Sequence, residues 1–297
     1  MWHCVTDLAL SQTDGQSQVQ PRAPLDPDHA ALAAACEEGV GLATIAGIEG
    51  SFSRRLGAQL AVRSDGSVVG SLADGCLERQ LATDLLALTE PCLKRYGRGS
   101  PQIDFRLPCG GGLDIWLDPA PDRMACRTAI EALEARRPAS LAMPSGSPMA
   151  RRGYIPALKL RIFGEGPEPE ALERLAIAAG YAVDGIAKAD LSLGQPSRLP
   201  VADTWTAIIL LFHDHEWEAA LLQEALASPA FYVGAQGGEG ARVARAAQLL
   251  ANGTPEEDLA QLRSPIGAVA ACRTPETLAL SILAEVAGAY EHLHAPA

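Results

Sequence analysis

The sequence predicts an α/β chain in two parts: a small α+β N-terminal domain followed by a domain built on a parallel sheet. Two observations predict the first part. Strand-length apolar runs between Thr44 and Leu117 are separated by glycine-bounded turns, and leucine-bearing helical stretches flank them. A third observation predicts the second part. From Lys159 onward, apolar strand-length runs alternate with helix-length segments, which is how a parallel sheet with crossover helices reads.

Residues 1–25 form an expected tail, because Ser11 to Pro24 is rich in Gln, Ser and Pro and has no apolar period. A helix follows, with Asp26 as N-cap, Pro27 in its first turn and Gly39 at its end. A strand around Thr44 leads to Glu49-Gly50-Ser51-Phe52-Ser53-Arg54-Arg55-Leu56-Gly57. Ser64-Asp65-Gly66 then joins two further strands, a strong hairpin signal. The next helix, from Cys76 to Leu88, spaces Leu77, Leu81, Leu85 and Leu88 as one buried stripe.

Pro91 and Gly97 to Pro101 break the pattern before a predicted strand from Gln102 to Leu107. Pro108-Cys109-Gly110-Gly111-Gly112 follows, compatible with a tight corner or with close approach to a ligand. Leu113, Ile115 and Leu117 alternate with Asp114 and Trp116, predicting a half-buried strand, and Met124 to Arg136 predicts a helix. These elements make the N-terminal domain, residues 26–137. The Pro-, Ser- and Gly-bearing residues 138–158 read as a linker.

In residues 159–297, the strands expected are Lys159 to Phe163, Tyr181 to Ile186, Thr206 to Phe212 and Phe231 to Gly234. Helices follow each of three glycine- or histidine-bearing turns, and a last one runs from Thr274 to about Tyr290. This is a Rossmann-like pattern, with helices expected on both sheet faces. The turn after its first strand, Gly164-Glu165-Gly166, begins a dinucleotide fingerprint, but Pro169 occupies the third glycine position. Glu165, Glu168 and Glu170 add negative charge there, so nucleotide binding at this domain is not expected to be tight. His213 and Asp214 leave the C-terminal end of the third strand, where open α/β sheets hold ligands. A helix cap is the competing role for Asp214.

A net charge of −12 excludes a nucleic-acid backbone as an expected partner. No apolar run approaches membrane-spanning length and no signal peptide is apparent, so a cytoplasmic, soluble protein is expected. The seven cysteines (Cys4, Cys36, Cys76, Cys92, Cys109, Cys126 and Cys272) lack paired C-x-x-C spacing, against a disulfide framework or structural zinc site. Cys76 and Cys109 stand apart because each lies in a glycine-bearing turn. Two arginines beside glycine-rich backbone, with a cysteine in a helical first turn nearby, suit an anionic small molecule. The stretch suited to such an anion holds Glu49, Gly50, Ser51, Arg54, Arg55, Gly75 and Cys76, and Cys109 and Gly110 are further candidates for approach to a ligand. Gly164, Gly166, His213 and Asp214 are added from the second domain.

The chain resembles the XdhC/CoxI family of maturation factors for molybdenum hydroxylases. The resemblance rests on Glu49-Gly50-Ser51 with Arg54 and Gly57, Asp65-Gly66-Ser67-Val68-Val69-Gly70, Gly75-Cys76-Leu77-Glu78 and Cys109-Gly110-Gly111. It continues through Ile162-Phe163-Gly164, His213-Asp214, Tyr232-Val233-Gly234, Ser264-Pro265-Ile266-Gly267 and Thr274-Pro275-Glu276, in family order. It implies a chaperone, rather than a turnover enzyme, that binds molybdenum cofactor (molybdopterin). It implies sulfuration of that cofactor by a partner sulfurtransferase, a cysteine desulfurase, and delivery to an apo-molybdenum hydroxylase. It also implies a homodimer, Cys76 and Cys109 near the metal, and Arg54 with the Gly50 and Ser51 amides near the cofactor phosphate. Asp74, Gly166-Pro-Glu-Pro and Gly237-Gly-Glu-Gly depart from the family pattern, each toward acidity or loss of anion-binding groups. Two rival readings follow: an NAD(P)-dependent oxidoreductase, and a diverged non-catalytic binding module of the same fold.

Overall fold

The architecture comes from a computed structural model, which describes residues 26–72, 75–101 and 110–294. The expected strand at Gln102 to Leu107, together with Asp74 and Cys109, lies outside the described residues.

The first helix, α1 (Pro27–Ala34), is capped by Asp26, whose carboxylate accepts the Asp28 amide at 2.9 Å. It stops short of Gly39. Strands β1 (Gly41–Glu49), β2 (Gln59–Val62) and β3 (Val68–Gly70) follow. The turn between β2 and β3 forms at the Asp-Gly pair, with the Ser67 amide bonded to Asp65 and Gly66 at φ +83°. Helix α2 (Gly75–Ala87) buries Leu77, Leu81 and Leu85, so the leucine stripe holds.

Strand β4 (Cys92–Gly97) forms between the expected breaks at Pro91 and at Gly97 to Pro101, where no element is expected, and β5 (Gly112–Asp118) pairs with it and with β1. The antiparallel sheet runs β3-β2-β1-β5-β4. Helix α2 packs on one face through Leu60, Leu113, Ile115 and Leu117. On the other face, α1 and α3 (Arg123–Glu134) enclose Leu42 and Ala61. Strand β5 is buried on both sides, not half-buried, because Trp116 is itself covered beside Met149 and Ala46.

Residues 138–158, expected to be a linker, contain a hairpin of β6 (Ala139–Ala142) and β7 (Arg151–Tyr154). The hairpin is fastened to the first sheet. The Tyr154 hydroxyl donates to Gln59 Oε1 at 2.6 Å, and Arg152 meets Asp28 of α1 at 2.7 Å.

The parallel sheet contains β8 (Lys159–Gly164), β9 (Ala182–Ile186), β10 (Thr206–Leu211), β11 (Tyr232–Ala235) and β12 (Leu262–Arg263). Its order, β12-β11-β10-β8-β9, reverses direction between β8 and β10. Helices α4 (Pro167–Ala178) and α8 (Pro275–Glu291) cover one face. Helices α5 (Glu218–Leu226) and α6 (Glu239–Ala251) cover part of the other, and a short α7 (Glu256–Leu259) precedes β12. Between β9 and β10 no α-helix forms. Gly194, Pro196 and Pro200 interrupt that crossover, and residues 187–205 cross the sheet as a loop with one 3-10 turn at Lys188–Asp190 instead.

Polar contacts join the two halves. Arg136, after α3, donates to both oxygens of Asp203 at 2.7 and 3.0 Å, and Tyr290 of α8 donates to the Pro156 carbonyl at 2.7 Å. Burial opposes ionisation of Asp203, but bonds from Arg136, Thr206 and the Trp205 amide outweigh it and bring its pKa down to about 2. Its folded value is depressed, so this contribution is present above the unfolded value near 4 and fades as pH falls toward 2. Asp203→Asn is therefore expected to cost about 1 kcal/mol at pH 7, allowing for solvent screening, and almost nothing at pH 2. Urea midpoints at both pH values check this. An equal cost at the two would show that the ionised form contributes nothing.

Candidate functional site

Arg54 does not stand free in its loop. Its Nη2 donates to Ser71 Oγ at 2.8 Å and its Nε to the Ser71 carbonyl at 3.3 Å. Ser71 precedes α2 by a few residues, so the guanidinium ties the Gly50–Gly57 loop to the segment that delivers Cys76. The Leu72 amide, one residue on, donates to Glu78 Oε1 at 3.0 Å, which holds the entry to α2 from the helix side. Cys76 is exposed on the first turn, and Arg79 Nη2 donates to its sulfur at 3.4 Å. Arginines therefore border the thiol region from within α2 and anchor the segment before it.

Arg55 turns the other way. It meets Asp28 at 3.1 Å and Glu291 of α8 at 3.5 Å, spanning both halves of the chain. Arg54, Arg55, Ser53 and Ser71 line a cleft of about 360 Å³ together with Asp26 and Glu291. The cleft thus mixes positive and negative groups. Its cationic side is set by Arg54, since Arg55 already faces carboxylates.

Glu49 ends β1 and belongs to another cluster. Arg95 bonds it and also Asp114, the latter at 3.0 Å, while Arg98 lies 3.7 Å from Glu49. Gly112 makes room for that guanidinium, since a Cβ there would collide with Arg95 Nη2 and lie 2.7 Å from the Arg98 carbonyl oxygen. Gly50 faces Gly111 across the strand pair, with a Cβ position 3.6 Å from the Gly111 Cα. The Glu49–Ser51 turn and the glycine run ending at Gly112 are therefore neighbours. Gly110 is exposed, and Gly75 begins α2. Among the described residues, no group of three or more His, Cys, Asp or Glu side chains is arranged to hold a metal ion.

In the second half, the ends of β8 and β10 meet at the point where strand order reverses. Gly164 allows this approach, because a Cβ would lie 2.7 Å from the Leu211 carbonyl oxygen. Gly166 is the N-cap of α4 at φ +102°, with Pro167 in the first turn and Pro169 buried. Glu168, from that turn, lies 3.3 Å from His213 Nε2. The position where a pyrophosphate would meet amide donors thus carries a carboxylate bonded to a histidine. Asp214 accepts the Glu216 amide at 3.2 Å as a cap and lies 3.9 Å from Lys188. Asp184 is bound by Lys159 at 2.7 Å, within the sheet. None of these groups touches Arg54 or Cys76, so an exposed cysteine lies in the first half of the chain and an acid–histidine pair in its second.

The partners that fix these groups are not legible in the sequence alone. Ser71 had no signal beyond its place before the Asp-Gly-Cys turn, and Arg79 was recognisable only by its three-residue spacing from Cys76 on a helix.

Two family models match the chain, one described as the XdhC and CoxI family over residues 33–97 and one as the XdhC Rossmann domain over residues 160–286. A molybdenum cofactor insertion chaperone, PaoD of Escherichia coli strain K12, is 34% identical over 274 residues, covering 86% of this chain and 85% of that protein. A crystal structure described as a xanthine dehydrogenase from Bacillus halodurans superposes with a TM-score of 0.69 at 21% identity. It covers 89% of this chain and 95% of that one, a likeness of fold.

Proposed function

Because the chain belongs to the XdhC and CoxI family, we propose that it is a maturation factor that binds molybdenum cofactor and hands it to an apo-molybdenum hydroxylase. The observation that carries this reading is the pairing of an exposed Cys76 thiol with a segment clamped by Arg54, in a chain 34% identical to an insertion chaperone. Sulfur ligands suit molybdenum, and a fixed guanidinium suits a phosphorylated cargo. Cys76 and Cys109 would meet the metal end of the cargo, and Arg54 with the Gly50 and Ser51 amides its phosphate. Arg55, Glu49, Gly75 and Gly110 would shape the surrounding turns. In the second unit, Gly164, Gly166, His213 and Asp214 would face the cargo or the client as an acid–histidine rim.

The reading extends to a cysteine desulfurase as sulfur donor, a homodimer and a cytoplasmic location. It also divides the chain into units at 26–137 and 159–297. The edge strands of the first sheet support self-association, since they leave Val68 and Leu93 exposed. No helix among the described residues is long and apolar enough to cross a membrane.

Anaerobic gel filtration of the full chain mixed with molybdenum cofactor tests the proposal. Stoichiometric retention by wild type is expected, weakened about tenfold or more in each of Cys76→Ala, Cys109→Ala and Arg54→Ala. Failure of wild type to retain the cofactor would overturn it. A non-carrying binding module would then be favoured, since Glu168 and His213 already occupy each other.

A further inference from the structure

The irregular crossover between β9 and β10 leaves a gap that a helix would have filled. Beneath it lies a cavity of about 230 Å³, bounded by β8, β10, α5 and the loop itself. Phe163, Ile208, Leu221 and Ala225 make its walls apolar. One cation is present among the described lining residues, Arg161 of β8, which is more than nine-tenths buried. Its Nη1 donates to the Pro200 carbonyl at 2.8 Å. Its Nε makes no hydrogen bond, and the closest carboxylate oxygen, of Asp184, is 3.8 Å away. A buried donor without an acceptor is costly unless something supplies one.

The other charged lining group cannot supply it. Both oxygens of Glu224 are already engaged, accepting the Ser197 amide at 2.6 Å and the Ser197 hydroxyl at 2.9 Å, which pins the loop to α5. The cavity therefore combines apolar walls with a lining guanidinium that makes a single hydrogen bond, through Nη1, the layout of a small-ligand pocket. We propose that it binds a small monocarboxylate with a compact apolar body, the carboxylate accepting from Arg161. A planar guanidinium is suited to such an acceptor. Phe163 immediately precedes Gly164, so an occupied cavity would bear on the turn that faces His213. This site is separate from the Arg54 cleft, and its test involves no molybdenum cofactor.

Benzoate and benzamide, equal in size but different in charge, are the probes, titrated calorimetrically into the full chain. Benzoate is expected to bind with a Kd on the order of 0.1–1 mM, the range open to so small a ligand, and benzamide about tenfold more weakly. Arg161→Gln should erase the preference. Ala225→Leu, which fills the wall, should abolish binding of both, and it keeps the question open to decision if Arg161→Gln fails to fold. No benzoate binding up to about 10 mM, equal affinity for the two probes, or undiminished binding by Ala225→Leu would each overturn the proposal.

Discussion

Replacing Asp28 with alanine is expected to lower stability by about 3–5 kcal/mol, because it strands a buried charge. Asp28 and Arg152 are each 7% exposed at the side chain and meet at 2.7 Å. The same carboxylate takes Arg55 at 3.1 Å through Oδ2 and the Gln59 amide at 3.1 Å through Oδ1. Arg152 also donates to the Gly57 carbonyl at 2.5 Å and lies over the Tyr154 ring, 4.4 Å from its centroid. Without Asp28, the Arg152 guanidinium keeps its carbonyl partners but loses its counter-charge, and a strand amide loses its acceptor. The hairpin, α1 and the arginine loop then share the damage.

Urea unfolding of Asp28→Ala and Arg152→Met, singly and together, separates the pair from its surroundings. The double variant should be more stable than Asp28→Ala alone, since removing both partners removes the stranded charge. A cost below about 1 kcal/mol for Asp28→Ala would mean that water reaches the pair and that the hairpin is held by its apolar contacts. The same variant bears on the site. Arg55 is held between Asp28 and Glu291, so freeing one end should also alter the cleft it shares with Arg54.

What the sequence disclosed and what it hid differ by the range of the interaction concerned. The Ser64-Asp65-Gly66 turn, the stripe of Leu77, Leu81 and Leu85, and the apolar run of β10 depend on neighbours a few residues away, and each stands where expected. Strand β4 was hidden because Lys94 and Arg95 interrupt any apolar alternation, and their partners Asp84 and Asp114 come from other elements. The hairpin at 139–154 was hidden for a similar reason. Its Pro, Ser and Gly residues look like a linker, while its order comes from Asp28, 124 residues before Arg152. The site divides in the same way. Cys76 at a helix start was legible, whereas the clamp of Arg54 on Ser71 needed the two loops brought together.

Arg245→Ala should cost a similar amount, about 3–5 kcal/mol, at the other end of the molecule. Arg245 and Glu218 are 4% and 2% exposed at their side chains and join α6 to α5 by two bonds, at 2.9 and 3.1 Å. The arginine also donates to the Gln236 carbonyl at 2.6 Å and to Ser264 Oγ at 2.5 Å. It therefore gathers the loops leaving β11 and β12 around a carboxylate that has no solvent to fall back on. His215, whose Nδ1 lies 3.1 Å from Glu218, is the one partner among the described residues that would remain near that carboxylate.

The loss should appear first as local opening. Amide exchange in residues 236–238 and 264–272 should accelerate, while the amides of β1 and β5 in the first sheet stay protected. Arg245→Lys keeps the charge but not the fork, so it should retain part of the stability and little of the loop order. If Arg245→Ala instead left exchange in those loops unchanged, their order would have to come from the backbone and from Glu285, which accepts the Gly267 amide at 2.5 Å. With the ion pair in place, the strand ends are ordered by the chain's own groups. The second half therefore holds its loops together through a buried pair, although a carboxylate, Glu165, stands in its glycine turn.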